Sequence, residues 1–165
     1  MIRAARLDVS LYEEVEADTG ATFEAMRVVV LVALATGIGT RGQGGGSWSL
    51  LFGVITGLLV WAIWAYLTYI IGTTFFRTHE TEADWGQLAR TTGFAQSPGV
   101  LLFLGFIPVV GLVIIIGVSL WQLAAMVIAV RQALDYASIW RALGVVLVAR
   151  IPMAVASSFL LTSSQ

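Results

Sequence analysis

Cysteine is absent from this 165-residue chain, which excludes disulfides, thiol catalysis and thiolate metal sites. His79 is the only histidine, so a histidine-based metal site would need a second chain. Lysine is also absent, every basic residue is an arginine, and the formal net charge is −1. Such a balance offers no basic surface for nucleic acid. We therefore expect neither a cofactor, nor a metal, nor a nucleic-acid partner.

Apolar residues make up 58% of the chain, charged residues 12%, and the mean hydropathy is +0.89. A soluble domain is about half apolar and about a quarter charged. The composition therefore predicts a membrane protein whose main partner is the lipid bilayer. The start, "MIRAARLDVSLYEE", has no apolar run after its arginines and is not expected to be a cleavable signal peptide.

Long apolar segments predict an all-α bundle of five transmembrane helices. A bilayer core about 30 Å thick needs roughly 20 residues of helix, and no segment alternates as barrel strands do. The predicted spans are residues 28–40, residues 48–76, two spans within residues 98–130, and residues 140–161.

The third and fourth spans are predicted to form a tight hairpin. Between them, Pro108 removes a helical hydrogen bond and Gly111 permits a turn. Ser97 and Pro98 resemble a helix start, with a short first arm that ends at Ile107. The alternative is one long kinked helix, which would give four spans.

Arginine placement favours five spans. In that topology seven arginines share the side of the N terminus: Arg3, Arg6, Arg27, Arg77, Arg90, Arg131 and Arg141. This bias predicts an inner (cell) membrane protein with a cytoplasmic N terminus and an external C terminus. Residues 1–27 would form a cytoplasmic segment, and residues 28–165 the membrane domain.

The N-terminal segment is predicted to hold one amphipathic helix over residues 8–27. Ser10 and Glu13 have capping-box spacing, and the polar face of the helix is acidic. It could pack on its own membrane domain, bind a protein partner or sense lipid. Tyr12, Glu13 and Glu14 are its candidate residues.

Two further polar segments belong to the same predicted cytoplasmic face. The first, residues 81–94, is expected to form a short helix capped by Thr81, with Asp84, Trp85 and Arg90 as candidates. Asp84 and Arg90 could pair with the second segment. A structural ion-pair cluster is favoured over a ligand or partner site.

The second polar segment covers residues 129–142. Arg131 and Asp135 are four residues apart and can pair if helical, and Arg141 completes the candidates.

Small residues within the spans predict close helix packing. Gly53 and Gly57 form one such pair, and Ala125 and Ala129 another. They could pack the chain's own bundle or a homo-oligomer. A group of aromatic residues in the second span is expected to anchor at the membrane interface: Trp61, Trp64, Tyr66 and Tyr69.

Arg150 lies within the last predicted span, where a charge is costly and marks a functional position by default. No carboxylate of this chain lies within a span. The guanidinium could snorkel outward, or meet a lipid phosphate or an acid of another subunit.

Four stretches are spread over nearly the whole chain: "LYEEVEADTGAT", "TEADWGQLARTTGFAQSPGVL", "IPVVG" and "VAVRQALDYASIWRALGVV". They resemble the bacterial branch of the Yip family, the Ypt/Rab-interacting membrane proteins. The resemblance implies a cytoplasmic N-terminal segment and five spans. Eukaryotic members bind Rab-type GTPases, but this sequence lacks their aspartate-leucine-tyrosine-glycine-proline motif.

We expect a non-enzymatic scaffold or accessory subunit that presents its acidic helix and two loops to a larger membrane complex. Alternatives are a small transporter component and a membrane-shaping protein that uses the short hairpin as a wedge. No nucleophile, base and orienting group can be assembled from the sequence, and no phosphate-binding loop is present.

Overall fold

The computed structural model of the chain describes residues 1–39 and 47–163, and every regular element in these ranges is helical. Seven α-helices and one 3-10 helix follow in chain order: α1 (Ile2–Ala5), α2 (Val9–Ala17), α3 (Ala21–Gly39), α4 (Ser47–Thr74), α5 (Trp85–Ala95), the 3-10 helix (Ser97–Phe106), α6 (Val110–Ala133) and α7 (Ile139–Ser163). The predicted all-α class is confirmed for these residues.

Within the part of the chain that the structure describes, three helices are long and apolar enough to cross a membrane: α3, α4 from Leu50 onward, and α6. Helix α7 has 25 residues with Pro152 inside it, and the 3-10 helix is a shorter apolar element. The count of five spans stays a prediction.

Residues 8–27 belong to two helices, α2 and the beginning of α3, so the prediction of one helix over this range is wrong. The carboxylate of Asp18 accepts the backbone N–H of Gly20 at 2.8 Å, a local turn that separates α2 from α3. The predicted capping box of Ser10 and Glu13 is also wrong, because Asp8 caps α2 and accepts the backbone N–H of Ser10 at 3.1 Å.

Helix α5 begins later than predicted, and its cap is Asp84. The Asp84 carboxylate accepts the N–H of Gln87 at 2.9 Å, and the Gln87 side chain accepts the N–H of Asp84 at 2.6 Å. The predicted cap, Thr81, instead accepts the N–H of Thr78 at 3.0 Å. From this start α5 enters the bundle and packs on α2, α3, α4 and α6.

Helix α5 and the 3-10 helix run alongside α3 in the same direction. Gly93 packs against Ala25, and further along Gly99 packs against Val32. At the end of α3, Gly39 lies against the carbonyl oxygen of Leu102. At about 1.5 and 2.0 Å per residue, the two helices together extend roughly 36 Å. This broken rod (residues 85–106) is as long as a bilayer core is thick.

A tight turn joins the 3-10 helix to α6, as the hairpin prediction required, and the alternative of one long kinked helix is wrong. Val109 has a φ of 68°, and the N–H of Gly111 donates to the carbonyl of Ile107 at 2.7 Å. Gly111 then packs against the backbone of Gly105, which lets the two arms lie together.

Candidate functional site: the polar end of the bundle

Arg90 joins α5 to the C terminus of α2. Its side chain is buried, its Nε–H donates to the carbonyl of Val15 at 2.9 Å, and its Nη2 donates to the carbonyl of Glu16. Carbonyls in the last turn of a helix lack intrahelical partners and carry the negative end of the helix dipole. The guanidinium therefore caps α2 and holds it against the membrane-domain helices.

These contacts correct the prediction that Arg90 and Asp84 pair with the segment 129–142. Arg90 is bonded to α2, and the Asp84 carboxylate is used by its own helix cap. Trp85 is 44% exposed, and its indole N–H lies 3.4 Å from the carbonyl of Ala62 in α4.

Tyr136 anchors the connection between α6 and α7. Its hydroxyl donates to the carbonyl of Gly72 at 2.8 Å, which ties this connection to the end of α4. The Nε–H of Arg131 donates to the Tyr136 carbonyl at 3.1 Å, and the guanidinium carbon of Arg141 lies 5.7 Å from the ring centroid. Burial, opposed by Arg141, raises the pKa of Tyr136 to about 12.

The predicted ion pair of Arg131 and Asp135 does not form. Helix α6 ends at Ala133, and Asp135 has a φ of 50°, so the four-residue helical spacing is lost between them. Arg131 is bonded to the Tyr136 carbonyl instead.

Three chain segments bring acidic side chains together at this end, in an acidic patch of Glu16, Glu80, Glu82 and Asp135. Burial and the neighbouring Asp135 raise the pKa of Glu16 to about 7, with Arg90 opposing. Burial and the charges of Glu82 and Glu80 raise the pKa of Asp135. Acids whose pKa values are raised by their neighbours lie close enough to repel each other.

The other N-terminal candidates have internal partners. Tyr12 is buried and its hydroxyl donates to the carbonyl of Ala4 at 3.3 Å, while burial raises its pKa. Glu13 accepts from the Gln132 side chain at 3.0 Å, and Glu14 pairs with Arg3 at 2.8 Å.

Packing residues of the spans divide into buried and open positions. Ala125 and Ala129 are fully buried in the chain's own bundle, and Gly57 packs against Ala33 of α3. Gly53, by contrast, faces open space.

Trp61 is buried in the bundle, whereas Arg150 is exposed. Trp61 is buried, and its indole N–H donates to the Ala89 carbonyl of α5 at 3.2 Å, so its predicted place in an interfacial belt is wrong. Arg150 is exposed on α7 and has no hydrogen bond or ion pair among the residues that the structure describes.

Sequence reasoning missed Glu16 and Tyr136. Glu16 carries a signal, since an acid in the last turn of a helix opposes the helix dipole and needs a compensating group nearby. Tyr136 carries none, because its partner is a backbone carbonyl 64 residues away.

A helical bundle with several membrane-spanning helices and one polar end defines a polytopic membrane protein. The Yip1 domain family model matches residues 15–160, which is most of the chain. The chain therefore belongs to the Yip1 family, and the family resemblance seen in the sequence is confirmed. No curated protein and no solved structure shows significant similarity to it. The assignment to a bacterial branch stays a prediction.

Proposed function

We propose that this protein is a non-enzymatic integral membrane scaffold or accessory subunit of a larger membrane complex. In this proposal the acidic patch, to which α2 contributes Glu16, forms its binding surface at the cytoplasmic side. Its partners are other membrane-protein subunits or the cytoplasmic segments of such subunits.

The Arg90 contact with α2 is the observation that supports this role. It ties the N-terminal helices to the bundle, and Tyr136 ties the α6–α7 connection to α4 in the same way. A surface that is held in place before binding loses little conformational entropy when a partner arrives.

The charge of the patch indicates the chemistry of the partner. Glu16, Glu80, Glu82 and Asp135 form no ion pair within residues 1–39 and 47–163. Their mutual repulsion favours a basic segment, which would relieve it and gain in association rate and specificity.

The proposed topology has five crossings, with the N terminus in the cytoplasm and the C terminus outside. Helices α3, α4, α6 and α7 supply four crossings, and the broken rod supplies the third in chain order. The arginine bias supports this orientation.

A transporter component is the second candidate. A discontinuous span is a feature of many transporters, and the broken rod is interrupted at Gln96, whose carbonyl accepts the side-chain N–H of Gln122 at 3.3 Å. A membrane-shaping role would instead use the hairpin around Pro108 as a wedge.

Purification from the native membrane in mild detergent separates these functions. The scaffold function predicts a partner at stoichiometric amounts, which is lost from the Glu80→Gln/Glu82→Gln variant and kept by the control Glu24→Gln, an exposed acid outside the patch. Isolated protein that carries solute flux in liposomes would favour transport. Altered vesicle curvature without flux would favour membrane shaping, and either result would contradict the scaffold.

A further inference from the structure

The N-terminal helices lie beside the C-terminal half of α6 instead of above its end. The indole N–H of Trp121, halfway along α6, donates to the carbonyl of Ala5 at 2.8 Å. Nearer the end of α6, Gln132 donates to Glu13. Helix α2 therefore packs along α6, while α1 packs on α5 and the 3-10 helix and reaches the middle of α6 through Trp121.

The N-terminal helices carry an exposed ion cluster of Arg3, Asp8 and Glu14. The Arg3 guanidinium lies 2.8 Å from Asp8 and 2.8 Å from Glu14, and it also donates to the hydroxyl of Ser10 at 3.0 Å. Arg3 lowers the pKa of both acids. In the ion cluster two carboxylates share one guanidinium, and Arg6 of the same segment pairs with neither of them.

Arg150 provides the opposite charge at a matching depth on the other side of α6. Helix α6 ends at Ala133 and α7 begins at Ile139, at the same end of the bundle. At about 1.5 Å per residue, Arg150 lies roughly 16 Å along α7 from that end and Trp121 roughly 18 Å along α6. Leu147 and Ile151, beside Arg150 on α7, are exposed and apolar. A guanidinium among such residues needs a partner, and the described residues of its own chain supply none.

The face of α6 between these two charges is uncovered. At 100° per residue, Trp121 and Gln132 turn toward the N-terminal helices, and Val127 and Val130 turn toward α7. Between them lies the outer face of α6, which consists of exposed residues: Val113, Gly117, Leu120 and Ala124. A side chain at Gly117 would meet nothing within 4 Å, so another helix can approach closely here.

We propose that two copies of this chain form a two-fold symmetric dimer through the outer face of α6, with Arg150 of each copy beside the ion cluster of the other. A two-fold axis along the membrane normal sets α7 of one copy opposite α2 of its partner, and does so twice. Each Arg150 then lies beside the two carboxylates that share Arg3 in the other copy. The dimer does not depend on what binds the acidic patch.

Disulfide trapping tests the dimer directly, because the chain has no native cysteine. The full-length Ala124→Cys variant, in phosphatidylcholine vesicles, is oxidised with copper phenanthroline. A disulfide forms only where two Cα atoms approach within about 4.4 to 6.8 Å. The matched control is Leu59→Cys, on the exposed face of α4. The dimer predicts cross-linking of the first variant and not of the control, and equal yields would overturn it.

Charge variants in the Ala124→Cys background test the pairing. Arg150→Gln and Glu14→Gln are each expected to lower the dimer yield about tenfold, and the double variant to lose little more than either single one. Arg150→Lys keeps the charge and should keep most of the dimer. An unchanged yield in Arg150→Gln would overturn the proposal and leave Arg150 to a lipid phosphate.

Discussion

Arg90 shows how a single buried cation is stabilised without a carboxylate. Its guanidinium is 5% exposed and donates to two backbone carbonyls at the end of α2. The partial negative charge of a helix C terminus and the two hydrogen bonds offset the cost of burial. The same contact fixes the position of α2.

Replacement of Arg90 should therefore loosen α2 and destabilise the protein. Arg90→Ala leaves the carbonyls of Val15 and Glu16 without a donor and is expected to lower the free energy of unfolding by about 2 to 4 kcal/mol. Arg90→Lys is expected to have a stability between those of the wild type and Arg90→Ala. Thermal unfolding in detergent measures the loss, and hydrogen exchange of α2 amides locates it. The control is Arg77→Ala, at an exposed arginine. Equal effects of the two alanine variants would contradict the account.

Glu16 makes the stability of the polar end depend on pH. Its folded pKa is about 7 against an ordinary value of 4.5, so the unfolded chain releases this proton at lower pH than the folded chain does. Stability from this group is therefore highest below pH 4.5, falls between pH 4.5 and about 7, and is constant above.

Glu16→Gln removes this dependence. The variant should unfold at a higher temperature than the wild type at about pH 8, and the difference should shrink toward about pH 4. Parallel thermal scans across this range measure it. If the difference in unfolding temperature between the wild type and the variant is the same at about pH 4 and about pH 8, the pKa of Glu16 is not raised by folding.

Among the elements, the broken rod departs most from what the sequence predicts. Arg90, Thr91 and Thr92 give α5 the composition of a loop, yet all three are buried. The hydroxyl of Thr91 donates back to the carbonyl of Gln87 at 2.9 Å, which hides its polarity inside the helix. Polar composition therefore indicated a solvated segment where the structure has a core helix.

Other elements follow from local chemistry that a sequence displays. Long apolar runs predicted the long helices, and Pro108 with Gly111 predicted the hairpin turn. Arg90 was correctly singled out as a candidate, but not its partners. Every residue has a backbone carbonyl, so the sequence does not indicate which carbonyls will accept a hydrogen bond from Arg90. Only the fold brings the carbonyls of Val15 and Glu16 to its guanidinium.

The broken rod depends on glycine where it meets α3. A methyl group at Gly39 would collide with the carbonyl of Leu102, which is backbone and cannot rotate away. Gly39→Ala should cost roughly 2 kcal/mol or more by displacing the 3-10 helix. Gly53→Ala, at a helix glycine with open space around it, should be neutral or stabilising by about 1 kcal/mol. Thermal unfolding of the two variants should separate them, and equal destabilisation would contradict this packing.

At the scale of the whole molecule, the chain keeps most of its ionised side chains at one end. Glu82 and Asp135 belong to two different loops that are far apart in the sequence. The two carboxylates nevertheless lie close enough for the charge of Glu82 to raise the pKa of Asp135. Val109, in the turn between the 3-10 helix and α6, lies at the opposite end and is 90% exposed. This polarity is the basis of the proposal that the protein binds partners at a single water boundary.

Single-cysteine labelling from each side of the membrane tests that polarity most directly. The cysteine-free chain receives one of three substitutions, Glu82→Cys, Asp135→Cys or Val109→Cys. Each variant is treated with an impermeant maleimide in right-side-out and in inside-out membrane vesicles. We predict that Glu82→Cys and Asp135→Cys react only in inside-out vesicles and that Val109→Cys reacts only in right-side-out vesicles. Labelling of Glu82→Cys and Asp135→Cys from opposite sides would contradict the account.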